Sequence, residues 1–341
     1  MKQGCLVSVI ISNFNGRKEL EELLPSVFNT RIGGRYEVLL VDGNSTDGSL
    51  EYVREYYPQV KIIIDETNQG HSAGINMGLE ASQGRYIALL DNDVVVEPEW
   101  LENSLKTFQR HPRTAAVQCK LISYFDHTRI DSAGGVMDQY GWFSERGRLY
   151  GSPEEDRGQY DKEESIFSGC SAALIVDKKA LEEIDGFDEK FFICYNDADA
   201  CWRLRLQGYE ILFAPDAIVY HKRRETFNKR LPKESLVMHR AKNLIMMIMK
   251  NFELKKLLFA LPLGVVSELG LAATWLLTGN PKPARAVIKG LWWNLRHFPY
   301  ILRSRRIIQK RRQVSDVLLS PLMLKGSLLF SRKNLSRFLI R

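Results

Sequence analysis

Over the first hundred residues, short runs of aliphatic and β-branched residues alternate with stretches whose apolar positions recur every three to four residues. That is the pattern of βαβ units around a mostly parallel sheet flanked by helices, an α/β class. It predicts strands at 6–11, 37–41, 61–64 and 86–90, with helices over 17–28, 49–57 and 73–81 between them. Each strand runs into a polar or glycine-containing loop, and in open α/β sheets ligands bind beyond the carboxyl ends of the strands. From about 115 to 160 the pattern loosens, with Gly134, Gly135, Trp142 and Phe143 in what reads as an insertion. A buried strand-like run at 169–176, a short helix at 178–184, a helix at 197–207 stopped by Gly208 and a strand at 210–220 follow.

With 341 residues and 45% hydrophobic content, the chain is long enough for one catalytic domain of about 220 residues plus an appendage. The net charge of +7 conceals an asymmetry: residues 222–341 carry 26 Lys and Arg against 5 Asp and Glu, whereas the preceding residues carry 22 against 36. Such a division gives an acidic part suited to cations and a basic part drawn to phosphates or anionic lipid, with nucleic acid as the competing partner. Cys5, Cys119, Cys170, Cys194 and Cys201 are scattered, with no CxxC pair, which points to a reducing compartment. The opening MKQGCLVSVIIS is too short an apolar run for a signal peptide and leads directly into the first strand.

Asp91 and Asp93 stand two apart at the end of an apolar strand, so their side chains project to one side. Mg²⁺ or Mn²⁺ would relieve the repulsion of two carboxylates so placed, although the same pair serves equally as a solvated turn. Asp42 closes the second strand ahead of a Ser/Thr/Asp-rich cap and is a candidate to meet a base or ribose. In Asn68-Gln69-Gly70-His71-Ser72-Ala73-Gly74-Ile75-Asn76-Met77-Gly78, small residues open a helix, where backbone N–H groups favour a pyrophosphate; close helix packing accounts for the glycines equally well. Asn196-Asp197 follows an aromatic cluster at a helix start, with Asn196 a candidate cap and Asp197 a candidate general base. His221 ends a strand, either as an ordinary edge histidine or as a third metal ligand beside Asp91 and Asp93.

Taken together, in consistent order from about residue 5 to 225, these segments resemble the family 2 glycosyltransferases of GT-A fold, in particular bacterial rhamnosyl- and galactofuranosyltransferases. Val7-Ser8-Val9-Ile10-Ile11 with Asn13 and Asn15 resembles the opening nucleotide loop, and Val41-Asp42 through Ser49 the base-contacting motif. Asn68, Gly70, Gly74, Asn76 and Gly78 resemble the glycine-rich segment, and Leu89-Leu90-Asp91-Asn92-Asp93 the DxD metal motif. Ser168-Gly169 and Gly186-Phe187-Asp188-Glu189 are similar to the acceptor-side motifs. The resemblance implies a GT-A domain over 1–225, with a nucleotide-sugar half to about 95 and an acceptor half beyond it. It implies a donor site of Asn13, Asn15, Asp42, Asn68, Gly74, Asn76, Asp91 and Asn92, metal ligands Asp91, Asp93 and His221, and Asp197 as the base of an inverting transfer. Where the family has an acidic pair, this chain has Asn196-Asp197; His221 follows Asp197 by 24 residues, as a metal-binding histidine often does. The donor implied is a UDP- or dTDP-linked sugar, rhamnose among the candidates, and the acceptor a saccharide or lipid-linked saccharide. The QxxRW signature of processive polymerases is absent, which points to addition of one or a few sugars.

The run 257–277 is long enough to span a bilayer, yet it contains Pro262, Gly264, Glu268 and Gly270 and is basic on both flanks. The reading favoured over a single span is a peripheral or monotopic helical region over 226–341 at the cytoplasmic face of the membrane. It places Trp275, Trp292, Trp293 and Tyr300 near the interface and Arg303 to Arg312 on lipid phosphates. Two rivals carry different signatures. A nucleotidyltransferase should show a glycine- and Lys/Arg-containing loop after the first strand, where this chain has Asn13-Phe14-Asn15-Gly16, and a nucleic-acid-binding module leaves Asp91, Asp93, Asp197 and His221 without a purpose.

Overall fold

The structure, a computed structural model, describes residues 5–148, 152–223 and 232–326. Strand β1 (Val7–Asn13) is followed by α1 (Arg17–Phe28), β2 (Tyr36–Asp42), α2 (Ser49–Tyr56), β3 (Lys61–Ile64), α3 (His71–Ala81) and β4 (Tyr86–Asp91). These four strands form the parallel half of the sheet in the spatial order β3-β2-β1-β4. Successive β1 side chains face opposite layers: Val7, Val9 and Ile11 pack with Leu20, Leu23, Leu24 and Val27 of α1, and Ile10 with Ile75 and Leu79 of α3. Burying each such side chain contributes about 1.5–3 kcal/mol. The order of connection reverses between β1 and β4, so their carboxyl ends flank the crevice that such sheets use for ligands.

Beyond β4 the sheet becomes mixed. After β5 (Val94–Val96), α4 (Trp100–Arg110) and β6 (Thr114–Ser123) come β7 (Arg129–Ser132), β8 (Gly135–Met137), β9 (Phe143–Glu145), β10 (Glu154–Glu155) and β11 (Glu164–Ser165). Next are β12 (Ala173–Asp177), α5 (Lys178–Glu183), α6 (Asn196–Leu206) and β13 (Glu210–His221). β12 lies antiparallel between β4 and β6, while β13 runs parallel to β6 and antiparallel to β5. The segment expected to be a loosened insertion therefore includes a ten-residue strand, buried at all positions except its last. Its polar members hid it: Gln118 accepts from the Cys170 N–H at 2.5 Å, and Lys120 pairs with Asp156 and Asp161 at 2.7 and 2.8 Å.

The C-terminal part is helical: α7 (Lys233–Asn251), α8 (Leu254–Leu277), α9 (Pro281–Arg296) and α10 (Phe298–Arg311). It is joined to the sheet part by a common core in which Met246 and Ile248 of α7, Phe252 just after it and Ile301 of α10 meet Phe191, Ala198 and Trp202. Polar contacts reinforce the junction. Lys250 pairs with Asp188 and, at 3.2 Å, with Asp199, while Asn251 donates to Asp199 at 2.9 Å. Tyr300, expected at a lipid interface, instead donates its hydroxyl to Asp188 at 2.6 Å. Arg305 and Arg312 likewise turn inward, onto the carbonyls of Met249, Phe252 and Asn251, because the C-terminus of α7 leaves acceptors to be satisfied. Arg303, Arg306 and Lys310 remain exposed.

Candidate functional site

The carboxyl ends of β1, β2 and β4 open into a cleft of about 1420 Å³, closed on the far side by α6, α7 and the α8–α9 turn. Asp91 is the last residue of β4 and Asp93 lies just before β5; β13, antiparallel to β5, brings His221 opposite Val94. One ligand atom from each of Asp91, Asp93 and His221 falls within 4.8 Å of the others. His221 Nε2 is 3.4 Å from Asp93, and its Nδ1 is 2.7 Å from Asp131, which lies in β7. Burial works against a charged imidazole, yet the carboxylates of Asp93 and Asp131 push its pKa up to about 10.

This donor set suits Mg²⁺ or Mn²⁺: two carboxylates, an imidazole nitrogen, and an outer carboxylate that fixes the ring's orientation. Asp131 was not identified from the sequence. It also takes Arg223 Nε at 3.1 Å and Arg148 at 2.9 Å, and Arg223 forms a two-bond pair with Glu145 at 2.6 and 2.7 Å. Surrounded by these cations, Asp131 is held well below the usual carboxylate range although burial opposes it.

The residues expected on the donor side separate into two groups. Asn13, Asn68, Gly74, Asp91 and Asn92 line the cleft. Asn92 donates to Asn13 at 2.5 Å, so the ends of β1 and β4 are tied together. Gly16 sits directly against this pair, and a Cβ there would come within 2.0 Å of the Asn92 amide and 2.4 Å of Asn13. The others stand behind the wall. Asp42 is fully buried and accepts from Asn13 (2.6 Å), the Ser45 N–H (2.7 Å) and the Ser45 hydroxyl (2.8 Å). Its carboxylate organises the loop whose Val41 and Gly43 face the cleft, which differs from the expected direct contact with a base or ribose. Asn15 accepts from the Thr46 N–H at 2.9 Å and so ties two loops. Asn76, two residues beyond Gly74 and hence on the opposite side of α3, grips Phe187 through its backbone N–H (2.9 Å) and carbonyl (2.8 Å).

Asp197, in the first turn of α6, lines the same cleft and accepts from the N–H groups of Ser171 (3.2 Å) and Ala198 (2.8 Å). Burial pushes its carboxyl above the usual range; Glu145 adds to this and His71 opposes it. Asn196 does not cap α6, whose cap position is Tyr195. Its amide faces His71 Nδ1 at 3.0 Å, and His71 Nε2 reaches Asp91 at 3.0 Å. One imidazole therefore bridges the strand-end acid and the helix that carries Asp197. Gly70 lets α3 start this close to the loop before α6: its φ is 101°, and a Cβ would meet the Phe192 ring at 2.4 Å.

Residues 8–185 match the protein family described as glycosyl transferase family 2. The glycosyltransferase AglE of Haloferax volcanii is 28% identical over 237 residues, which cover 67% of this chain and 70% of that protein. The O-antigen biosynthesis protein RfbC of Myxococcus xanthus is 29% identical over 223 residues. That match covers 63% of this chain but 17% of RfbC, and a similar match spans 24% of an uncharacterized Sinorhizobium fredii protein. Among solved structures, S. aureus TarS 1–349 in complex with UDP aligns with a TM-score of 0.54 at 17% identity, covering 89% of this chain and 90% of that one. A mannosyltransferase from Pyrobaculum calidifontis in complex with GDP-Man and Mn²⁺ aligns at 0.52 and 18% identity, with 86% and 88% covered. The fold is that of these GT-A enzymes.

Proposed function

This chain belongs to glycosyl transferase family 2, and from that premise we propose that it is an inverting, cation-dependent enzyme of cell-surface polysaccharide synthesis. It moves one sugar, rhamnose among the candidates, from a UDP- or dTDP-linked donor to a hydroxyl of a saccharide that is lipid-linked. The observation that carries this reading is the meeting of Asp91, Asp93 and His221 in one cleft with Asp197.

In the proposed reaction Asp197 accepts the acceptor hydroxyl proton while that oxygen bonds the anomeric carbon and the bond from this carbon to the diphosphate breaks, so the configuration inverts. A raised carboxyl pKa suits that role, since it makes the ionised group a stronger base at neutral pH. Asp91, Asp93 and His221 would hold the cation, which when bound supplies Lewis-acid stabilisation to the departing diphosphate. Asn13 and Asn92 fix the two strand ends beneath the donor, and the N-terminal turn of α3 borders the cleft at Gly70, His71 and Gly74, where the positive end of the helix dipole favours its phosphates.

The lipid-facing part of the proposal rests on α8 and α9. Among the described residues α8 alone is long and apolar enough to cross a membrane. One of its faces, Ala260, Gly264, Glu268 and Ala272, is buried, with Gly264 close to Ile245 and Ile248 of α7. The rest exposes Leu258, Phe259, Val266, Leu276 and Leu277, joined by Trp292 and Leu295 of α9. Lys255, Lys282, Arg285, Lys289 and Arg296 are exposed around them. α7 is pinned to α6 through Lys250 and Asp199, and α8 packs on α7 and α9, an arrangement suited to resting in the cytoplasmic interface rather than crossing it. Trp275 and Lys282 also line the cleft, so a lipid-borne acceptor has a route from that surface to Asp197.

The test is a panel of nucleotide sugars assayed for hydrolysis and transfer with and without Mn²⁺, with the product anomer read by NMR. A donor turned over only with the cation, giving the inverted anomer, supports the reading; cation-independent turnover or retained configuration overturns it.

A further inference from the structure

The two residues before α6, Cys194 (φ 67°) and Tyr195 (φ 62°), are consecutive non-glycine residues in the left-handed region. Such a pair is uncommon and costly, and it persists only where surrounding groups over-determine it. Here the left-handed turn sends the chain from the Phe191–Ile193 segment into the helix whose second residue is Asp197, so its conformation sets how that carboxylate enters the cleft.

The groups that hold this turn come from the C-terminal helices. Asn243 of α7 is fully buried, and its Nδ2 donates to two successive carbonyls, those of Ile193 and Cys194, each at 2.7 Å. Its own Oδ1 has no partner among the described residues. A buried amide that leaves its acceptor unsatisfied is held for its donors, and a flipped amide would set oxygen against two carbonyl oxygens. Seven residues further along the same side of α7, Lys250 pairs with Asp199, one turn into α6. α7 thus grips the base-bearing segment on both sides of Asp197.

Building on the transferase reading above, we propose that Asn243 is a positioning residue for the base: by binding both carbonyls it keeps Cys194 and Tyr195 left-handed and aims Asp197 at the acceptor hydroxyl. Catalysis is then sensitive to a side chain in the C-terminal third that touches no substrate. Misplacement of a reacting group by about 1 Å costs on the order of 100-fold in rate.

The test compares wild type with Asn243→Ala and with Asn243→Asp, which has the same shape but presents an oxygen where the donor was. Steady-state kinetics, Mn²⁺-dependent affinity for UDP and dTDP, and hydrogen exchange of the 191–199 segment are measured together. Expected are a kcat lower by about 10- to 100-fold, an unchanged donor KM and nucleotide affinity, and faster exchange confined to 191–199. Asn243→Ser, whose hydroxyl can serve one carbonyl, should fall between, and it carries the test if the aspartate variant does not fold. Wild-type kcat in the alanine variant overturns the proposal, as does a parallel loss of nucleotide affinity with faster exchange throughout α7. If the wild type binds no nucleotide diphosphate, the transferase reading fails, while the exchange data still decide whether Asn243 holds the turn.

Discussion

His221 Nδ1 lies 2.7 Å from the Asp131 carboxylate, so the ring nitrogen that faces Asp93 is set by a residue ninety positions earlier in the chain. An outer carboxylate of this kind orients a ligating histidine and raises its basicity, and its loss typically weakens metal affinity or activity about 10- to 100-fold. Asp131→Asn is therefore expected to raise the Mn²⁺ concentration needed for half-maximal activity by that factor. A metal titration of the variant checks this, and an unaltered titration curve would detach Asp131 from the cation site.

Asp197 carries a carboxyl pushed above its ordinary value, first by burial. A base must be ionised, so the acid limb of kcat should lie above the ordinary carboxylate range. Stability has the opposite sign: a raised folded-state pKa contributes stability below the unfolded pKa, and that contribution is lost as pH rises through the folded value. Asp197→Asn should thus lose about 10²- to 10⁴-fold in kcat and yet melt higher than wild type at pH 7.5. Calorimetry and a pH–rate profile measure both; a lower Tm in the variant would contradict the burial account.

Glu268 sits on the buried face of α8, where burial pushes its pKa from 4.5 up to about 7 against the pull of Arg240. Its ionisation costs stability as pH rises through about 7. Glu268→Gln is expected to match wild type at pH 5 and to gain on the order of 1–3 kcal/mol at pH 8.5. Thermal melts across that range decide it, and a gain independent of pH would mean that charge is not the cause.

The exposed apolar and basic side of α8 and α9 should bind vesicles containing phosphatidylglycerol, less so at high salt. Leu258→Ser combined with Phe259→Ser and Trp292→Ser should abolish flotation with such vesicles. Equal flotation of the variant, or a wild type that stays with the soluble fraction, would remove the membrane from the proposal.

The parallel half of the fold could be read in the sequence because β1, β2, β4 and α1 to α3 bury regular positions, β3 is a short β-branched run, and each strand closes in a polar loop. Asp91, Asp93 and His221 were legible as candidates from strand-end placement, and they converge in one cleft. Elsewhere the local pattern was uninformative for definite reasons. β6 carries Gln118 and Lys120 inward, so apolar alternation breaks where buried partners replace it. β7, β8 and β9 have only three or four residues each, too few to show a period, yet they deliver Asp131 and Glu145. His71 lay within the glycine-rich segment, and nothing local marks its contacts with Asp91 and Asn196. Asn243 reads as a helix interior, and only the left-handed turn it binds shows its purpose. Asp42 and Asn76 reverse the case: their placement suggested ligand contact, whereas their side chains are committed to Ser45 and Phe187.

In the proposed division of labour Asp91, Asp93 and His221 hold donor and cation while Asp197 acts only on the acceptor. Titration calorimetry of nucleotide diphosphate into wild type, Asp93→Ala and Asp197→Asn, each with Mn²⁺ and with EDTA, tests it most directly. Expected are Mn²⁺-dependent binding in wild type, its loss in Asp93→Ala, and wild-type affinity in the inactive Asp197→Asn. Binding that persists in EDTA, or that disappears in Asp197→Asn, would contradict it.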